Sequence, residues 1–203
     1  MMSGFLLRGI LMGLLFGVPV GAVGVMTVER TWNYGIRAGL LTGLGSSAAD
    51  GVYSFVGIMG LTVVSGFLLR YETVIRFFGG ALILVMGARL LMKKGDSVVQ
   101  GRMPDKGKTA FFLSSFAVGI TNPEAILTFL FAFSWFGITA DSGLSGGLMV
   151  VLGVFLGTYF WWGALSFGVG YVKKRGKWKD FRYMDRIFGV VLSLFGIGIL
   201  WSV

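Results

Sequence analysis

The sequence predicts an all-α polytopic membrane protein: six transmembrane helices forming two inverted three-helix repeats, the first and fourth helices interrupted near Pro19 and Pro123. Composition, the spacing of apolar runs and an internal likeness between the halves carry this reading. Of 203 residues, 55% are hydrophobic and 13% charged, with a mean hydropathy of +0.82. A soluble domain runs near ~45–50% apolar and ~25% charged, so the excess apolar surface here must face lipid. At about 20 residues per crossing, the length admits about six crossings and no soluble domain.

The first apolar run, Phe5 to Val28, is too long for a signal-peptide core and reads as a span. A polar break from Glu29 to Arg37 leads into a second run, about Gly39 to Leu69, whose outer end exceeds one bilayer thickness and is expected to lie along the interface. The third covers roughly Thr73 to Met92, the fourth Thr109 to Ile138, the fifth Leu144 to Val172 and the sixth Ile187 to Val203. Helices are required because hydrocarbon offers backbone groups no partners, and the alternation of a membrane barrel is missing. The chain reads as a single membrane domain, 1–203, with repeat one over about 1–92, a loop over about 93–108 and repeat two over about 109–203.

Of the 18 Lys and Arg residues, all but Arg8, Arg70 and Arg76 fall on the side holding loops one, three and five. The positive-inside rule puts those loops in the cytoplasm of a cytoplasmic (inner) membrane and both termini outside. The net charge of +9 therefore answers to topology and anionic lipid headgroups, not to nucleic acid. With neither Cys nor His, the chain has no disulfide, thiol nucleophile, haem ligand or typical zinc site, and it calls for no metal and no cofactor.

Aligning Arg76–Leu90 on Arg186–Leu200 matches Arg76 with Arg186, Phe78 with Phe188, Gly79 with Gly189, Leu82 with Leu192, Leu84 with Leu194 and Leu90 with Leu200. Gly39, Leu40 and Gly45 pair likewise with Gly147, Leu148 and Gly153, and Pro19 with Pro123. Three spans per repeat force opposite orientations. An inverted repeat with one interrupted helix per half is the architecture of secondary transporters, with substrate near the midplane.

Of nine acidic residues, only Asp50 and Glu124 fall near the middle of a span. A carboxylate there costs ~2.5–3.5 kcal/mol on insertion scales, so each needs compensation. Ser46 and Ser47 before Asp50, and Tyr53 and Ser54 after it, share its helical face among small residues. That stripe suits either close packing glued by a hydrogen-bonded acid or a cavity-lining cation or proton site. Glu124 follows Asn122 and Pro123, where the proline frees a backbone carbonyl that Thr121, Asn122 and Thr128 can satisfy or turn toward a hydrated cavity. Pro19, flanked by Gly17 and Gly21, points to a break, while Gly9 and Gly13 suit a tight helix–helix face. Thr158 falls at the repeat position equivalent to Asp50. The aromatic run Tyr159 to Trp162 reads as lipid-facing bulk or as a stacking surface for substrate.

Gly17 to Gly24 (GVPVGAVG), Glu29-Arg30-Thr31, and Gly35 to Gly45 running on to Ala48-Ala49-Asp50-Gly51 resemble the N-terminal signature of LysE-type (LysE/RhtB) amino-acid exporters. Thr121-Asn122-Pro123-Glu124-Ala125 resembles their second signature, and the likeness covers essentially the whole chain. Many members carry Pro-Gly-Pro where this chain has Pro19-Val20-Gly21, and Glu124 occupies a position that is variable or basic in relatives, departures that bear on substrate more than on fold. The resemblance implies export of amino acids or close derivatives coupled to protons, with no enzymatic activity. A zwitterion needs donors for its carboxylate, which a helix N-terminus at a break provides, and an acceptor for its ammonium, which Asp50 or Glu124 provides. On this expectation Asp50 is the coupling acid, Pro19, Gly21, Asn122 and Pro123 shape the breaks, and Glu124 tunes cation preference. A homo-oligomer is compatible with the sequence. A divalent-cation transporter or channel would use the same two carboxylates with freed carbonyls, and a membrane enzyme would have to rest its acid–base chemistry on them.

Overall fold

The computed structural model describes residues 2–18, 21–60, 70–92, 107–122, 128–129, 132–133, 135–136, 143–175 and 184–201. Among them, seven delimited helices and no strand occur: α1 Met2–Phe16, α2 Ala22–Tyr34, α3 Ile36–Gly60, α4 Glu72–Met92, α5 Gly107–Ile120, α6 Gly143–Lys174 and α7 Met184–Trp201. Thr128, Phe129, Ala132, Phe133 and Trp135 are helical as well.

The longest helix is α6, with 32 residues, or about 48 Å at 1.5 Å per residue. Among the described residues it is the one helix long and apolar enough by itself to cross a membrane. Leu144, Leu148, Leu152, Leu156 and Phe160, four apart, form an exposed face. Opposite them Val150, Val154, Gly146, Gly153 and Gly157 are buried. Helix α1 repeats the pattern, with Leu7, Leu11 and Leu15 exposed and Gly9, Met12 and Gly13 buried. Two apolar faces turned outward suit lipid, and the small-residue faces meet. A Cβ on Gly9 would sit 2.3 Å from the Val150 carbonyl oxygen, and one on Gly157 would sit 2.5 Å from that of Ile10. The two backbones are therefore in direct contact.

Contact order gives helix directions. Phe5 meets Gly146, Gly9 meets Val150, Gly13 meets Val154 and Gly17 meets Thr158, so α1 and α6 run parallel. Helix α3 runs antiparallel to α6, Gly39 facing Ser166, Gly43 facing Trp162 and Ile58 facing Gly147. It runs parallel to α5, Gly45 against Ser115 and Ala49 against Gly119. Helices α4 and α7 form an antiparallel pair, Gly80 against Leu200, Gly87 against Ser193 and Leu84 against Gly196. One apolar cluster holds Met12, Tyr53, Phe129, Phe133, Val150 and Val154. A second holds Val23, Met26, Ile83, Val118, Trp162 and Leu192.

The expected polar break over Glu29–Arg37 is corrected by the structure: α2 continues through Tyr34, and Gly35 alone, at φ 92, separates it from α3. A positive φ of this kind favours glycine, which has no Cβ to clash. The helix persists because its charged residues find partners inside the protein. Arg30, 6% exposed, donates from one guanidinium nitrogen to Thr42 Oγ1 at 3.1 Å and the Phe111 carbonyl at 2.9 Å, and from the other to Ser114 Oγ at 2.7 Å. Its Cζ lies 4.8 Å from the Phe111 ring centroid. Glu29 accepts from Asn33 Nδ2 at 2.6 Å. One side chain thus ties α2 to both α3 and α5.

The first apolar run holds two helices, α1 and α2, each shorter than the ~20 residues a crossing needs. Phe5 lies beside Gly146 and Trp32 beside Lys173, the same sequence offset, so α1 and α2 in succession follow α6 along its length. Pro19, Pro123 and Glu124, the outer end of the second run and most of the loop after α4 lie outside the described residues.

Gly157→Val is expected to lower the thermal midpoint in detergent by an amount corresponding to about 1–3 kcal/mol of overpacking. Gly163→Ala, where a Cβ meets nothing within 4 Å, should leave it unchanged or raise it. Arg30→Met should cost about 1–3 kcal/mol, since it strips three helices of a shared buried donor, and a wild-type midpoint would refute that role.

Candidate functional site

Asp50 lies in the middle of α3, one turn beyond Ser46 and Ser47 and one turn before Tyr53 and Ser54. It is half-buried, and Thr158 of α6 hydrogen-bonds its carboxylate across the α3–α6 seam. Thr158 Oγ1 also lies 3.0 Å from Ser47 Oγ. A hydroxyl carries one proton; if Thr158 gives it to the carboxylate, Ser47 becomes the donor to Thr158. The three side chains then form a chain that ends on a charge. Along α6, Thr158 falls between Val154 of one apolar cluster and Trp162 of the other, so the polar group sits between two apolar plugs.

Tyr53 lies within electrostatic reach of Asp50 and donates its hydroxyl hydrogen to the carbonyl of Ile120, the last residue of α5. Carbonyls of a last helical turn have no intrahelical partner, and Tyr53 satisfies one. The end of α5 is tightened further, Thr121 Oγ1 donating to the Ala117 carbonyl at 2.8 Å and the Asn122 N–H to the Gly119 carbonyl at 3.1 Å. From the other side Gly17, just past the end of α1, faces Thr158, 2.4 Å separating its notional Cβ from Thr158 Cγ2. Trp161 Nε1 donates to the Leu14 carbonyl at 2.8 Å, so α6 also caps α1. Two helix ends therefore meet the α3–α6 seam within about a turn of Asp50.

The structure brings together Asp50, Ser47, Thr158 and Tyr53. Ser46 is buried on the face toward Gly119 of α5, away from Thr158. Thr121 packs against Gly79 of α4, Asn122 is exposed and Thr128 half-buried. Gly21, at φ 93, stands at the start of α2, whose first N–H groups lack intrahelical acceptors. Within the aromatic run Phe160 is 64% exposed, whereas Trp162, 4% exposed, packs in an apolar cluster.

Sequence reasoning missed Arg30 and Lys173. Lys173 donates to the Trp32 carbonyl near the end of α2, its ammonium 5.8 Å from the Trp32 ring centroid. A signal for Arg30 existed, because Val23, Met26, Thr27, Arg30 and Thr31 follow the three–four spacing of one buried stripe.

Comparison with known proteins shows the family. The family model described as LysE type translocator matches residues 14–202. The chain is 26% identical over 187 residues to the "Uncharacterized membrane protein YahN" of Escherichia coli (strain K12), covering 90% of this chain and 82% of that protein. It is 24% identical over 188 residues to the "Uncharacterized membrane protein YrhP" of Bacillus subtilis (strain 168), covering 87% and 89%. A second Bacillus subtilis relative, "Putative amino acid efflux protein YcgF", is 26% identical over 194 residues, covering 92% and 90%. No solved structure matches. With the family matched over nearly its whole length, the chain belongs to the LysE type translocators, which are membrane transporters and not enzymes.

Proposed function

We propose that this translocator is a secondary transporter that exports amino acids or close derivatives across the cytoplasmic membrane, exchanging them for protons at Asp50. The observation that carries the reading is a mid-helix carboxylate that accepts from the Thr158 hydroxyl, with Tyr53 within electrostatic reach, where two helix ends meet. A half-buried mid-membrane carboxylate that accepts from one hydroxyl can take a proton or a substrate ammonium in turn, and that mutual exclusion couples the two fluxes. Free N–H groups at the start of α2 suit the substrate carboxylate. In this reading Pro19, Gly21, Asn122 and Pro123 shape the breaks and Glu124 tunes cation preference.

Helix directions support six crossings with α1 and α2 together counted as one. On that count the parallel pairs, α1 with α6 and α3 with α5, are the first with the fifth crossing and the second with the fourth. The antiparallel pairs, α3 with α6 and α4 with α7, join an even crossing to an odd one. An inverted repeat finds support in the same contacts. Exchanging the halves carries the α1–α6 pair onto the α5–α3 pair, and Gly153 against Leu6 and Ile10 then corresponds to Gly45 against Phe112 and Phe116. The basic loops lie in the cytoplasm and the termini outside on this reading.

The test is counterflow into proteoliposomes loaded with a panel of amino acids, with and without a pH gradient. The native protein should accumulate a subset of them, driven by protons moving the opposite way. Asp50→Asn should abolish the gradient's effect. Thr158→Val should slow exchange by about ten- to a hundredfold, the loss expected for one hydrogen bond to a charged group, and Thr158→Ser should retain it. Failure of folded native protein to accumulate any amino acid would sink the proposal.

A further inference from the structure

We infer that the seam where α2 and α3 meet α6, from Asp50 and Thr158 to Trp32 and Lys173, is the leg of the substrate route that opens at the basic end of these helices, and that Lys173 on the Trp32 carbonyl is its latch. This rests on the chain being a translocator, not on which substrate it carries.

Buried hydrogen-bonding groups are nearly always paired, and an unmade bond is costly. Five buried side-chain atoms have no hydrogen-bond partner among the described residues; Ser54 Oγ and Ser193 Oγ lie elsewhere, while Thr31 Oγ1, Ser166 Oγ and Trp162 Nε1 gather at this seam. These three fall on one line. Thr31 and Ser166 both lie over Gly39, 2.0 and 2.5 Å from the position of a notional Cβ, and Trp162 lies over Gly43, one turn closer to Asp50. A seam with Gly39, Gly43 and the orphaned Thr31 hydroxyl on one side and the orphaned Trp162 and Ser166 groups on the other resists parting less than an apolar one. Water entering it would supply the missing partners. Beyond Trp162 the line reaches Thr158, Ser47 and Asp50.

Hydrogen bonds and backbone contacts group the helices on either side of this seam, which side chains of the two apolar clusters also bridge. Arg30 ties α2, α3 and α5 together, and Tyr53 adds a second tie from α3 to α5. Helices α1 and α6 are joined by glycine faces in backbone contact and by Trp161 on Leu14. Across the seam the structure places Thr158 on Asp50 and Ser47 at one end and Lys173 on Trp32 at the other. The first pair is the substrate site, so the second is the contact that can release without disturbing it.

The chain has no native cysteine, which permits a direct test. Ser166→Cys reports opening of the seam, Ser193→Cys serves as a buried control on the α4–α7 pair, and the exposed Lys174→Cys marks the face bearing Lys173. A membrane-impermeant thiol reagent is applied to each face of sealed vesicles. Ser166→Cys should react slowly, and adding Lys173→Ala should speed it about tenfold from the Lys174 face, a shift of about 1.4 kcal/mol toward the open form. Lys173→Arg should restore the slow rate, and Ser193→Cys should not respond to Lys173→Ala. Equal acceleration at Ser193 would mean general loosening and overturn the proposal, as would an unchanged rate at Ser166. If Ser166→Cys alone reacts too fast to accelerate, a Thr31→Cys/Ser166→Cys disulfide must stop export reversibly on reduction, and continued export would overturn it. The labelling arm needs no substrate, so a failed amino-acid assay leaves its result standing.

Discussion

Backbone contact between α1 and α6 is the constraint on which the rest of the structure depends. Side chains ordinarily hold neighbouring helices 8–10 Å apart, and in lipid there is no hydrophobic gain from bringing them closer. Glycines at positions 9, 13, 153 and 157 remove the spacers, so dispersion and close approach do the work. Because the pair is parallel and in register, the end of α1 arrives beside Thr158. That placement brings a helix end and a hydroxyl to Asp50 at once.

Two buried charged residues are treated in opposite ways. Arg30 has its guanidinium shared among a threonine, a serine and a carbonyl, with an aromatic ring beneath it, and these ties to three helices make it a fixture. Asp50 is given Thr158 and a tyrosine within reach, which leaves acceptor capacity on a carboxylate that can hold several bonds. The first arrangement fixes three helices, whereas the second leaves a group able to bind something else. Charged residues inside a membrane are costly in both settings, and the difference in satisfaction separates scaffold from site.

Much of this was legible in the sequence because lipid imposes a simple code. Leucines four apart with glycines between them predict which face of α6 turns outward, and the proximity of Ser47 and Asp50 follows from helical spacing alone. Thr158 was singled out by repeat position, although nothing in the sequence says that it bonds the carboxylate it mirrors. Arg30 reads as part of a polar break because charge beside an apolar run signals a loop. In a membrane protein a polar stretch next to a span can equally be a helix whose partners lie on distant segments, here Phe111 and Ser114. Lys173 was counted for topology, while its acceptor lies far away in the chain. Periodicity reads the face of one helix well, but it does not report which helix that face meets.

At about 48 Å, α6 exceeds a hydrocarbon core of ~30 Å, so even when tilted it carries one or both ends into the headgroup region. Its basic terminus, Lys173 to Arg175, is one such end. There the Lys173 ammonium has two kinds of acceptor within its stem's reach: the Trp32 carbonyl and the phosphates of surrounding lipids. If Lys173 is the latch proposed above, an anionic leaflet would compete for it and a neutral one would not. The bilayer would then be an effector as well as a solvent, its headgroup charge biasing how often the protein opens on that face.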